Sequence, residues 1–197
     1  MPLKRLSWFA AATALAVTAL FGGLQAADHV TAVSLGQTYD DGPLQITPHS
    51  VKLTDQMPGF ADLPAECRYL VMNATITNDA EQAVSFGTGM TMLPRKPCSL
   101  PPDVHGAQPF QVDGVTATFV GAVRTRDGTA MPEAAPGFTD DYALIWVIQT
   151  ASLKDHPAIT IRMFQMSRYI STFRIDSDWG ADTKRYGALR LAGLKTS

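Results

Sequence analysis

The chain has 197 residues, of which 46% are hydrophobic and 17% are charged, and its formal net charge is −2. The 16 basic residues do not outnumber the 18 acidic ones, so the sequence lacks the electrostatic footprint of a nucleic-acid-binding protein. The length is sufficient for one domain with one hydrophobic core.

Residues 1–27 have the features of an export signal. A positive start at Lys4 and Arg5 precedes an apolar stretch, which ends in small residues at Ala26 and Ala27. This order is typical of a secretory signal peptide. Cleavage near Ala26 or Ala27 would release a secreted or periplasmic protein with a net charge of −4.

An uncleaved membrane anchor is the alternative for the same segment. Residues 6–27 carry no charge, and 22 residues at about 1.5 Å each can cross a hydrocarbon core of about 30 Å. The domain would then stay on the outer side of the membrane, which it would contact only through residues 6–27. A lipid anchor is not indicated, because the first cysteine is Cys67.

Residues 28–197 are predicted to form a single all-β domain. Apolar residues recur there with a period of two, which is the signature of half-buried strands. Clear examples are residues 68–77, 116–123 and 159–163, with polar turns between them. Because helical stripes are scarce, we predict two packed antiparallel sheets.

Three local patterns refine this picture. The two alternating stretches within residues 68–92, separated by Asn78-Asp79, predict an antiparallel strand pair. Residues 142–148 are apolar at every position, which predicts a central strand that is covered on both faces. The alternation shifts by one residue near Pro48, which predicts a β-bulge.

The two cysteines, Cys67 and Cys98, are predicted to form a disulfide. Export would deliver both to an oxidising compartment, and no Cys-x-x-Cys spacing favours a redox or metal pair. Cys98 stands in the Pro-rich loop formed by residues 93–109. Closing a loop of about 32 residues would stabilise the fold by about 3–4 kcal/mol in the chain-entropy model.

The most site-like segment runs from Asp176 to Asp182. Asp176, Asp178 and Asp182 alternate around a glycine, a pattern that can bring several oxygens to one Ca²⁺ ion. A solvated turn explains the same residues, since the glutamate expected at the twelfth position of a calcium loop is absent. Trp179 is a candidate for ligand binding through an exposed ring, or it closes the end of the sandwich.

Other chemistry is not indicated. Asp40-Asp41 and Asp140-Asp141 are predicted to be turn residues. The four histidines are scattered, without the close spacing that brings two imidazoles to one metal. The sequence contains no Gly-x-Ser-x-Gly nucleophile motif and no phosphate-binding loop, so we predict no catalytic residues.

The arrangement of strands and turns resembles the telokin-like, immunoglobulin-type β-sandwich domains of bacterial secreted proteins and lipoproteins, a family of unknown function. The resemblance covers roughly residues 33–165 and rests on Gly36-Gln37-Thr38, Leu44-x-Ile46, Ile76-x-Asn78, Gln82-x-Val84, Pro136-Gly137 and Asp155-His156-Pro157. It implies an all-β, immunoglobulin-like antiparallel β-sandwich, here preceded by the apolar export helix. It also implies that Asn78 and Pro136-Gly137 serve chain geometry, and it defines no catalytic residue. Residues 166–197 extend beyond the resemblance and are expected to add a strand pair or a partner-binding edge.

The sequence therefore predicts an exported, non-catalytic protein of the cell envelope that binds another envelope protein or a cell-wall component. The first alternative is an extracytoplasmic carrier of a ligand or of Ca²⁺. The second alternative is a hydrolase of the envelope. No cofactor other than Ca²⁺ is indicated.

Overall fold

The computed structural model describes residues 27–87, 98, 109–155, 158–170 and 177–194, which form eleven strands and one short helix. The strands are β1 (His29–Val33), β2 (Tyr39–Asp40), β3 (Leu44–Thr54), β4 (Cys67–Asn78), β5 (Val84–Ser85), β6 (Phe110–Asp113), β7 (Ala117–Arg124), β8 (Glu133–Ala134), β9 (Thr139–Gln149), β10 (Ala158–Ile170) and β11 (Ser177–Ala192). The helix is α1 (Thr150–Asp155). The predicted export signal lies outside the described residues, except for Ala27.

The strands form two main sheets. A four-stranded sheet has the order β1-β11-β10-β6, and a five-stranded sheet has the order β2-β3-β4-β9-β7. β5 and β8 form a separate pair. All pairings are antiparallel except that of β1 with β11, which is parallel.

The main core lies between the two sheets. Strands of both sheets contribute buried side chains to one cluster, because the alternate residues of each strand point to the same face. From the five-stranded sheet these are Leu44, Ile46, Leu70, Met72, Ile76, Leu144 and Trp146; from the four-stranded sheet they are Phe110, Ile159, Ile161, Met163 and Leu189. The prediction of two packed sheets is confirmed.

A second, smaller core covers the other face of the five-stranded sheet. Tyr69, Val71 and Ile145 lie on that face, and Phe60 and Leu63 from the segment after β3 pack against them. The ring of Phe60 meets that of Tyr69 edge-on at 5.9 Å, and the hydroxyl of Tyr69 donates to the carbonyl oxygen of Ala61 at 2.6 Å. This cover explains why residues 142–148 are apolar at every position, and it confirms the predicted central strand.

The strand β3 contains the predicted bulge. Its register with β4 shifts between Pro48 and Ser50, so that His49 has no opposite residue. Pro48 has no N–H to donate, and its carbonyl oxygen accepts from the N–H of Gly36, on the side of β3 that faces away from β4.

The predicted antiparallel pair over residues 68–92 is wrong. β4 pairs with β3 and β9, whereas Val84 and Ser85 pair with β8. Alternation determines which face of a strand is buried, but it does not determine the strand beside it. The turn at Asn78 therefore sends the chain away from β4.

One other local expectation differs from the structure: Asp140 and Asp141 belong to β9 and are not turn residues. The extension beyond residue 165 forms the expected strand pair, because the end of β10 pairs antiparallel with the start of β11. β11 lies between β1 and β10, so it is an interior strand and not an edge. Within the described part of the chain, no helix is long and apolar enough to cross a membrane.

Candidate functional site: the outer face of the four-stranded sheet

The outer face of the four-stranded sheet carries a groove that residues of β1, β10 and β11 line. In β10, Ile159 and Ile161 point into the core, so Thr160 and Arg162 point outward. In β11, Leu189 points into the core, so Ala188 and Arg190 share the outer face with them. The strand alternation thus places polar and small residues over the sheet.

Arg162 occupies the centre of this face. Its guanidinium forms an ion pair with the carboxylate of Asp113 in β6 and lies 4.6 Å from the ring centre of Tyr186. The same ring meets that of Phe164 edge-on at 5.9 Å. Arg162 is therefore held in place by a carboxylate on one neighbouring strand and by an aromatic face on the other.

A groove of about 810 Å³ runs beside Arg162 toward β1. Its lining combines apolar and charged side chains, chiefly Val30, Ala32, Leu35, Arg162, Ala188 and Arg190. Val30 and Leu35 remain 52% and 48% exposed, which is unusual for large aliphatic side chains. Such a surface can bind an apolar group and a negatively charged group at the same time.

Among the described residues, the lining of the groove includes the hydroxyl residues Ser34 and Thr160 and the carboxylate of Asp113, but neither a histidine nor a cysteine.

A second feature is the buried turn between β2 and β3. Asp41 is fully buried; its Oδ1 accepts a hydrogen bond from the backbone N–H of Leu44 at 2.7 Å, and no described residue bonds to its Oδ2. The pKa of Asp41 is raised to about 8, chiefly because burial disfavours the charged carboxylate; the hydrogen bond from Leu44 opposes this rise, and the nearby charge of Asp40 adds to it. Burial also raises the pKa of the adjacent Tyr39 to about 12. The carboxyl of Asp41 therefore holds its proton near neutral pH.

The prediction that Asp40-Asp41 is a turn agrees with these bonds. Oδ1 of Asp40 accepts from the N–H of Gly42 at 2.9 Å, as in an Asx turn. The burial of Asp41 was not predicted, because Asp-Gly is equally common in solvated turns. The tertiary structure buries the carboxyl, and the same turn accepts a backbone hydrogen bond from Met166 of the other sheet.

Cys67 and Cys98 are joined by a disulfide with a Cα–Cα distance of 5.7 Å. Both are buried, and they belong to the second core. The remainder of the Pro-rich loop, apart from Pro109, lies outside the described residues. The bond attaches residue 98 to the start of β4.

The proposed calcium ligands do not share a loop. Asp176 lies outside the described residues, and Asp178 and Asp182 stand four positions apart in β11. Four positions of an extended strand span about 13 Å, too far for two aspartates to reach one cation. Oδ1 of Asp182 instead accepts from the N–H of Lys184 at 3.0 Å. No group of described residues has the arrangement of a metal site.

The two tryptophans have different surroundings. Trp146 is buried in the main core, where its ring meets that of Phe119 edge-on at 5.4 Å. Trp179 is partly buried and packs against the main core from β11. This packing favours the interpretation that Trp179 closes the end of the sandwich.

Asn78 has the geometric role that the resemblance implies. Its side-chain nitrogen donates to the carbonyl oxygens of Gln82 and Ala134, at 2.9 and 2.8 Å, and its Oδ1 accepts from the N–H of Ala80. Its backbone carbonyl accepts from the N–H of Gly137 at 2.8 Å. One buried amide thus joins the end of β4 to the chain that leads into β9.

No protein-family model matches the chain, and no curated protein matches it. Among solved structures, an uncharacterized β-sandwich protein of Clostridium difficile is 8% identical, with a TM-score of 0.48, and the match covers 85% of this chain and 97% of that one. A Bacillus subtilis protein that is provisionally called a lipoprotein is also 8% identical, with a TM-score of 0.44 and coverage of 83% and 40%. These similarities are too distant to carry an inference about what the chain binds.

Proposed function

We propose that the domain is an immunoglobulin-type sandwich of the telokin-like kind. In constant-type immunoglobulin domains, the strands A to G form one sheet in the order A-B-E-D and another in the order C-F-G. Taking β3, β4, β6, β7, β9, β10 and β11 as A to G, the two sheets follow these orders. The strand order supports the assignment, with β1 and β2 as additions before the first strand.

We propose further that the protein is exported and serves the cell envelope as a non-catalytic binding module. The export signal predicted for residues 1–27 supports an extracytoplasmic location, and so does the disulfide between Cys67 and Cys98, since such bonds persist in oxidising compartments. The location is secreted or periplasmic after cleavage, and at the outer side of the membrane without it.

The single observation that carries the binding role is the groove on the outer face of the four-stranded sheet. It combines exposed aliphatic side chains with Arg190 and with Arg162, whose guanidinium is paired with Asp113. A partner that presents an apolar group beside a carboxylate or phosphate fits this combination. Another envelope protein or a cell-wall component can supply both groups.

Capture from envelope extract tests the proposal. The full chain, immobilised through its C-terminus, is compared with an Arg190→Glu variant, which reverses the charge in the groove. Arg126→Glu is the matched control, because Arg126 is exposed on the turn after β7, away from the groove.

The proposal predicts that at least one bound component is lost with Arg190→Glu and retained with Arg126→Glu. Retention of every component by Arg190→Glu would exclude the groove as the binding site. A hydrolytic activity of the purified protein that is abolished by one aspartate or serine substitution would contradict the non-catalytic role.

A further inference from the structure

The free edges of β-sheets differ in how they are protected against pairing with other strands. An edge strand presents unpaired N–H and C=O groups, and proteins commonly block them with short strands, prolines, lysines or bulges. Each main sheet of this protein has two edges among the described residues: β1 and β6 in one sheet, and the β2 side and β7 in the other.

Three of these edges carry recognised protection. β6 has four residues and ends in Asp113, whose charge is paired with Arg162. β2 has only two residues, and the part of β3 beyond it contains Pro48 and Lys52. β7 has a bulge between Phe119 and Gly121, and the chain that follows folds back onto its end through the isolated bridge of Val123 with Ala130.

The edge of β1 carries none of these features. The strand His29–Val33 contains no proline, lysine or acidic residue, and its five residues pair with β11 without a register shift. Four of the five residues are exposed. Within the described part of the chain, its backbone hydrogen bonds run to β11 and none runs to the opposite side.

We propose that this edge pairs with β1 of a second copy of the chain, so that two four-stranded sheets join into one continuous sheet. The pairing is antiparallel and centred on Thr31, about a two-fold axis perpendicular to the sheet. This self-association goes beyond the proposed binding of an envelope partner and does not depend on it.

The sequence of β1 is self-complementary in this register. Thr31 faces Thr31 of the second copy at the axis, Val30 faces Ala32 on either side of it, and His29 faces Val33 at the ends. Opposite residues of an antiparallel pair lie on the same face, so Val30 and Ala32 of both copies extend the outer apolar surface. A two-fold interface requires this reciprocity: where residue i of one copy contacts residue j of the other, residue j of the first copy contacts residue i of the second.

The strand contains no acidic or permanently basic side chain, so the pairing brings no like charges together at the axis. A five-residue edge is smaller than the interfaces of permanent dimers, which bury more than about 1,200 Å². We therefore expect a reversible dimer that forms with increasing concentration.

Site-specific crosslinking tests the register. In an antiparallel pair about Thr31, the two Cα atoms of this residue lie about 4.5–5.5 Å apart, within the range that a disulfide spans. Under mild oxidation of the full chain, purified from the envelope in mild detergent, Thr31→Cys should give a covalent dimer. His29→Cys is the control. In this register the two residues at position 29 are four positions apart along the paired strands, so cysteines there should crosslink about tenfold less.

Sedimentation at increasing protein concentration measures the dimer dissociation constant, and it tests the role of the β1 edge without introducing a cysteine. Val30→Lys places a charge on the edge and should raise the dimer dissociation constant at least about tenfold. Phe138→Lys is the matched control, because Phe138 is 66% exposed and precedes β9 in the other sheet. It should leave the constant unchanged.

A wild-type chain that stays monomeric up to about 1 mM, a typical weak limit for specific association, would overturn the proposal. So would a dimer in which His29→Cys crosslinks as well as Thr31→Cys. A monomer whose captured envelope component is retained by Arg190→Glu and lost with Val30→Lys would assign the edge to another protein's strand, because the groove would then be excluded, and it would equally exclude self-pairing.

Discussion

The backbone N–H of Met166 donates a hydrogen bond to the carbonyl oxygen of Asp41 at 2.6 Å. Met166 belongs to β10 of the four-stranded sheet, and Asp41 follows β2 of the five-stranded sheet. One turn of one sheet is therefore attached to the other sheet at the point where β10 leaves its register with β11, between Phe164 and Gln165. The side-chain carboxyl of Asp41 is itself fully buried, so the two sheets should separate less readily when that carboxyl is neutral.

The stability of the protein should fall as the pH rises toward 8. Burial raises the pKa of Asp41 from 3.8 to about 8. Between these two values the folded protein holds a proton that the unfolded chain has released, so the free energy of unfolding decreases by up to about 1.4 kcal/mol per pH unit. Asp41→Asn cannot ionise and should lack this decrease. Denaturant titrations at pH 5, 6.5 and 8 measure it.

Relative to the wild type, Asp41→Asn should gain on the order of 2 kcal/mol or more between pH 5 and pH 8. Asp40→Asn is the control, because Asp40 is exposed on the same turn. A wild-type stability that rises over this range in parallel with that of Asp41→Asn would show that the carboxyl is already ionised in the folded protein.

Gly42 should not tolerate a side chain. Its φ angle is +109°, and a Cβ atom would stand 2.7 Å from the carbonyl oxygen of Met166. Gly42→Ala should therefore lower the free energy of unfolding by about 2–4 kcal/mol, because it strains the backbone and displaces β10.

Gly36→Ala separates these two costs. Gly36 also has a positive φ, +80°, but a Cβ atom there would meet nothing within 4 Å. Gly36→Ala should therefore lower the free energy of unfolding by only about 1 kcal/mol, which is the contribution of backbone strain alone. Equal losses in the two variants, measured by thermal denaturation, would mean that contact with Met166 is not important.

The disulfide should supply a substantial fraction of the stability. Cys67 and Cys98 are separated by 31 positions, and their bond restricts the unfolded chain. Replacing both by alanine should lower the free energy of unfolding by about 3–4 kcal/mol in the chain-entropy model. Thiol titration of the unfolded, unreduced protein should find no free sulfhydryl, whereas two per chain would contradict the bond.

Asn78→Ala should destabilise the domain far more than Asn73→Ala, although both residues belong to β4. Removing the Asn78 amide leaves the carbonyl oxygens of Gln82 and Ala134 without their donor in a buried site, at a cost of about 2–3 kcal/mol. Asn73 donates one exposed bond to Ser50, so its loss should cost less than about 1 kcal/mol. Similar losses in chemical denaturation would show that the Asn78 contacts are replaced by water.

The sequence alone determined much of the sheet structure. The period of two identified β4, β7 and the first half of β10, and the continuous apolar run identified β9 as a strand covered on both faces. The shift of alternation located the bulge at Pro48. These features depend on the direction in which each side chain points, which is a local property of an extended chain.

The partners of the strands were decided only by the tertiary structure. Residues 177–182 appeared to be an acidic turn, but they extend β11 because β10 offers a neighbouring strand over the same length. Val84 and Ser85, where the second alternating run begins, pair with β8, far along the chain, and not with β4. Which strands meet depends on how both sheets close over a common core, and no short window of sequence contains that information.

For the candidate sites too, the sequence predicted one part and only the tertiary structure decided the rest. Two cysteines and a predicted export signal were sufficient to predict the Cys67–Cys98 bond. The groove around Arg162, the buried carboxyl of Asp41 and the open edge of β1 involve residues from distant parts of the chain. Burial, a shifted pKa and a free edge are properties of the surroundings of a residue, and the fold creates those surroundings.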